Sequence, residues 1–69
     1  MTDIALTVNG EPRKVPAATT LAEVVTTLSK ANTGVAAALN EAVVPRGSWS
    51  ETRLSAGDRI EILTAVQGG

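Results

Sequence analysis

A chain of 69 residues with seven acids against six bases, a formal charge of −1 and neither cysteine nor histidine lies near the lower size at which one apolar core suffices, since a domain this small buries only roughly 60% of its unfolded surface. The missing residue types remove the thiol nucleophile, the commonest base at neutral pH, the usual zinc ligands and disulfide stabilisation, so most enzyme classes fall away. Arg13, Lys14, Lys30, Arg46, Arg53 and Arg59 are spread along the sequence, which is not the basic stripe that nucleic-acid binding needs.

Ile4, Leu6 and Val8 alternate with Ala5 and Thr7, the period-2 pattern of a half-buried strand, and Asn9-Gly10 then supplies a dipeptide suited to a two-residue hairpin turn. Glu11 to Val15 is the returning strand. Pro12 has no amide to donate, so this strand is expected at an edge of the sheet. Thr20-Leu21-Ala22-Glu23 has the spacing of a capping box, in which hydroxyl and carboxylate each reach a backbone amide of the first helical turn. Leu21, Val24, Val25 and Leu28 follow at i, i+3, i+4 and i+7, an apolar stripe that packs a helix on one sheet face. Asn32-Thr33-Gly34 ends the helix, with Asn32 or Gly34 free to adopt the left-handed conformation.

Val35 to Leu39 mixes alanines, which favour helix, with the alternation of a strand, and its five-residue length between turn signals favours the strand. Asn40-Glu41 makes a turn, Ala42-Val43-Val44 a short extended piece stopped by Pro45, and residues 47–52 a loop or single helical turn around Trp49. After the turn at Ala56-Gly57-Asp58, a last strand runs from Arg59 to Thr64, with Ile60 and Ile62 on one side and Arg59, Glu61 and Leu63 on the other. The order describes an α+β domain over residues 1–64, a mixed sheet of four to five strands with one helix across it, followed by a tail at 65–69. The first and last strands cannot form a hairpin at their separation, so they are expected as central neighbours. Met1-Thr2-Asp3-Ile4 has no basic stretch leading into an apolar one and no segment approaches the ~20 apolar residues of a membrane span, so the expectation is a cytoplasmic protein with no membrane partner.

No side-chain constellation carries catalysis. The seven acids show no paired spacing, and caps, turns and solvated faces account for each of them, Asp58 as a turn residue. Trp49 and Pro45 have structural readings as core filler and strand terminator, while Arg46 is either solvated or a grip for a partner carboxylate. The terminal Gly68-Gly69 would arise by chance in about 0.5% of chains at ~7% glycine usage, although a frayed or appended end explains it as readily. Ala65-Val66-Gln67-Gly68-Gly69 is uncharged and narrow, and glycines without Cβ can thread a tight channel. A carboxylate is a poor electrophile because its charge repels nucleophiles. A terminal carboxyl used chemically therefore has to be activated by a partner with ATP, for instance as an acyl-adenylate.

Taken together, Asn9-Gly10, Val43-Val44-Pro45-Arg46 with Trp49 three residues on, Gly57-Asp58-Arg59-Ile60 before the last strand, and Gly68-Gly69 at the end resemble the ThiS family of thiamine-biosynthesis sulfur carriers, over nearly the whole chain. The resemblance implies a ubiquitin-like β-grasp fold and a protein that is a carrier and not a catalyst. It implies a covalent site at Gly69, adenylated by a ubiquitin-activating-like enzyme, converted to a thiocarboxylate with sulfur drawn from cysteine by a cysteine desulfurase, and consumed by thiazole synthase. Ala65, Val66, Gln67 and Gly68 would lie in the partners' channels, and the exposed sheet face near the last strand would dock. No metal or stably bound cofactor is implied. The residues also leave open a carrier of the molybdopterin type, a ubiquitin-like modifier that ends as an amide on a lysine, and a β-grasp binding module without acyl chemistry.

Overall fold

The computed structural model describes residues 2–28 and 34–64. Its elements are β1 (Asp3–Val8), β2 (Glu11–Pro16), α1 (Leu21–Leu28), β3 (Val35–Leu39), β4 (Ala42–Val44), a 3-10 helix (Arg46–Glu51) and β5 (Arg59–Thr64). They build a five-stranded sheet in the order β2-β1-β5-β3-β4. β1 and β5 run parallel as neighbours and the other pairs are antiparallel. This is the arrangement expected of a β-grasp domain, with the first and last strands inside the sheet and the proline-bearing β2 at its edge.

Two hairpins of the same design close the sheet. Val8 pairs with Glu11 across Asn9-Gly10, and Leu39 pairs with Ala42 across Asn40-Glu41. All four turn residues have positive φ, at 52°, 84°, 52° and 73° in that order, as required when a two-residue turn must follow the right-handed twist of its strands. Asparagine tolerates this region and glycine occupies it freely. Glu41 does neither, and a non-glycine side chain there costs about 1 kcal/mol or more. Its carboxylate reaches the Arg59 guanidinium at 2.9 Å, but the two side chains are 74% and 62% exposed, and exposed pairs contribute about 0.2–1 kcal/mol or nothing measurable. Ala18, third residue of the turn in which the Thr19 amide donates to the Pro16 carbonyl, is similarly placed at φ 73°.

The helix starts as its capping box dictates: the Thr20 amide donates to Glu23 Oε1 at 2.9 Å and the Glu23 amide donates to Thr20 Oγ1 at 3.3 Å. Eight residues are too few to be stable alone in water, so packing holds the helix in place. Leu21, Val24 and Val25 meet Leu6 and Val8 of β1, Ala37 of β3 and Ile60 and Ile62 of β5 in one core. Leu28 corrects the expected stripe, because it remains 38% exposed at the rim. The end of the helix expected at Asn32-Thr33-Gly34 falls mostly outside the described residues, but Gly34 has the positive φ of 71° that its position suggested.

Residues after β4 complete the core from outside the sheet. Pro45 ends the strand and the 3-10 helix buries Trp49, whose Nε1 donates to the Val44 carbonyl at 2.8 Å, satisfying the polar edge of a ring otherwise surrounded by apolar atoms. Leu54, 5% exposed, is brought in by a backbone bridge between Thr20 and Arg53, with amides donated from Leu21 to Thr52 and from Leu54 to Thr19. No local pattern in the sequence announced this bridge.

Candidate functional site

The alternation of β5 separates the sheet into two faces. Ile60 and Ile62 point to α1, so Arg59, Glu61 and Leu63 lie on the opposite face, which no helix covers among the described residues. Register assigns their neighbours: Ala36 stands opposite Leu63, Ala38 opposite Glu61, and Val43 of β4 opposite Ala38. Residues directly opposite across a ladder share a face. Leu63 and Val43, 71% and 78% exposed, therefore rise on either side of two alanines, a low apolar strip that ends where β5 ends. Arg46 is exposed at the start of the 3-10 helix, and no hydrogen bond from its side chain appears among the described residues. Trp49 belongs to the core, as its structural reading required.

β5 is held at both ends by asparagine side chains that act as strand residues. At its start, the Arg59 amide donates to Asn40 Oδ1 at 2.9 Å while the Asn40 amide donates to the Arg59 carbonyl at 2.7 Å. Asn40 Nδ2 also donates to Asp58 Oδ1 at 3.1 Å, and Asp58 Oδ2 accepts the Ser55 amide at 2.7 Å, closing the turn before the strand. Near its other end, the Ile62 amide donates to Asn9 Oδ1 at 2.8 Å and Asn9 Nδ2 donates to the Ile62 carbonyl at 3.3 Å. Sequence reasoning found both asparagines as turn formers and missed this second use, since nothing local points to a partner 53 residues away.

The candidate covalent site Gly69 and the residues expected to thread a partner, Gly68, Gln67, Val66 and Ala65, lie outside the described residues. They continue from Thr64, the last residue of the central strand. Elsewhere, a groove of about 350 Å³ between β2 and α1 is lined by Val8, Arg13, Val15, Glu23, Val24 and Leu28 among others. Its acid is the one engaged in the helix cap, and it gathers no set of groups suited to proton transfer. Among the described residues no cluster of acids has a metal-binding arrangement, and no helix is long and apolar enough to cross a membrane.

Comparison with known proteins gives three findings. The profile of the ThiS family matches residues 6–69. A crystal structure of the thiamine biosynthesis protein ThiS from Geobacter metallireducens is similar with a TM-score of 0.77 and 32% identity, over 96% of this chain and 100% of that one. A thiazole synthase from Magnetococcus marinus is 39% identical over 61 residues, which is 88% of this chain and 19% of that protein, so the chain spans about a fifth of the length of this curated relative.

Proposed function

From the premise that the chain belongs to the ThiS family, we propose that it carries sulfur for thiazole formation in thiamine biosynthesis, on the terminal carboxyl of Gly69. The observation that carries this reading is the extent of the family match, which runs from β1 through the final glycine, so the tail belongs to what is shared. The proposed cycle starts with a ubiquitin-activating-like enzyme that joins the Gly69 carboxylate to the AMP moiety of ATP and releases pyrophosphate. The desulfurase takes sulfur from cysteine as an enzyme-bound persulfide, whose terminal sulfur displaces AMP to give an acyl disulfide. A thiol then reduces the S–S bond, is itself oxidised to a disulfide, and releases the thiocarboxylate. Sulfur is more polarisable than oxygen, so the thiocarboxylate is the better nucleophile, and thiazole synthase takes the sulfur from it.

The chain's own part in this cycle is positional. A reacting group gains most when it is delivered in a fixed geometry, and a carboxyl that continues from a central strand has a rigid base. The strip of Leu63, Ala36, Ala38 and Val43 supports docking next to that base, because apolar surface covered by a partner is removed from water. The relative in which a segment similar to this chain forms part of a thiazole synthase supports the choice of that enzyme as the sulfur acceptor. Partners supply all the bond-making groups, in keeping with a sequence free of Cys and His.

One added residue tests the proposal. Placing an alanine after Gly69 moves the carboxylate away from its reaction position, so the extended chain is expected to fail to complement a thiamine auxotroph lacking its own carrier while melting at the unaltered temperature. Complementation by the extended chain would contradict the proposal.

A further inference from the structure

We propose that Asn9 is a positioning residue for the chemistry at Gly69: its side-chain amide replaces the strand residue that β1 lacks and so fixes the C-terminal end of β5. The inference rests on the function proposed above. β1 ends at Val8, opposite Ile60. On that side the amides of Thr7 and Asn9 donate to Asp58, just before β5, and to Ile60, and the next backbone groups facing that way are those of Ile62. Both backbone groups of Ile62 are met by the Asn9 side chain, part-buried, at 2.8 and 3.3 Å. Chain direction reverses at Asn9-Gly10, so no further residue of β1 is available to take over.

Removing that amide would end the β1-side ladder at Ile60 and leave the amide and carbonyl of Ile62 without these partners. The last residues of β5 would then have more conformational freedom to lose when a partner enzyme engages the carrier. Such a loss weakens binding of the carrier and leaves the reacting atoms unchanged once it is seated. It belongs in KM and not in kcat.

Asn9→Gly keeps a residue that accepts positive φ and deletes the amide together with Cβ, while Asn9→Asp leaves the backbone constraint, keeps the acceptor for the Ile62 amide and loses the donor to its carbonyl. Thr20→Ala, which opens the helix cap on the other side of the core, serves as a control of similar instability. The measurement is ATP–pyrophosphate exchange by the cognate adenylating enzyme with the full chain as varied substrate, together with hydrogen exchange at the Ile62 amide and thermal melting. For Asn9→Gly a KM raised roughly three- to tenfold with kcat little changed is expected, with lost protection at Ile62. Asn9→Asp should show a smaller rise, and Thr20→Ala none. An unchanged KM in Asn9→Gly with protection at Ile62 lost would overturn the inference, as would an equal rise in Thr20→Ala. If Asn9→Gly does not fold, an unchanged KM in Asn9→Asp overturns it. No exchange with the unaltered chain, under an enzyme active on another carrier, would overturn the proposed function and this inference with it.

Discussion

Glu41 shows how a single residue can work against the fold that holds it. It sits at φ 73° in a turn position suited to glycine, and its ion pair with Arg59 is exposed on both sides, so the backbone cost of about 1–3 kcal/mol exceeds the pair's return of about 0.2–1 kcal/mol. Glu41→Gly is therefore expected to raise Tm by about 2–5 °C, read by calorimetry. An unchanged or lower Tm would mean that the ion pair outweighs the strain. The sequence marks Asn40-Glu41 as a turn but not as a strained one, because the sign of φ depends on the two-residue pairing of β3 with β4. Asn9 is similar: its dipeptide identifies the hairpin, and its bonds to Ile62 exist only once the first and last strands are side by side.

At the scale of elements, the features legible in the sequence are the local ones. The capping box, the alternation of β1 and β5 and the proline of β2 each act through neighbours in sequence, and each element formed where expected. Spacing puts Leu28 in the stripe, yet it lies at the rim, since helical period fixes a face but not how far the sheet extends beneath it. Ile62 was placed by the same kind of reasoning and is 7% exposed. Ile62→Ala is accordingly expected to destabilise by about 2–5 kcal/mol and Leu28→Ala by about 1–2 kcal/mol, with no cavity term. Urea unfolding with unchanged slopes separates the two, and equal losses would place Leu28 in the core. The Leu54 segment was unreadable because it reaches the core through a bridge to the helix start that no local pattern encodes.

For the whole molecule, the parallel pairing of β1 with β5 puts the strand that leads to the terminus inside the sheet, held by a neighbour on each side. A domain of this size has no interior to spare for an active site, so its chemistry is proposed at its end and its recognition on the open face. The sequence pointed to this division through what it lacks, cysteine and histidine, and through its final two glycines. It did not show which surface flanks the base of the tail, because the strip of Leu63, Ala36, Ala38 and Val43 is assembled from three strands by register. Sulfur carriage on Gly69 is tested most directly by the intact mass of the full chain after incubation with ATP, the cognate adenylating enzyme, a cysteine desulfurase and cysteine. A gain equal to the replacement of one oxygen by sulfur is expected, absent when Gly69 is deleted. An unchanged mass, with an enzyme shown to be active on another carrier, would contradict it.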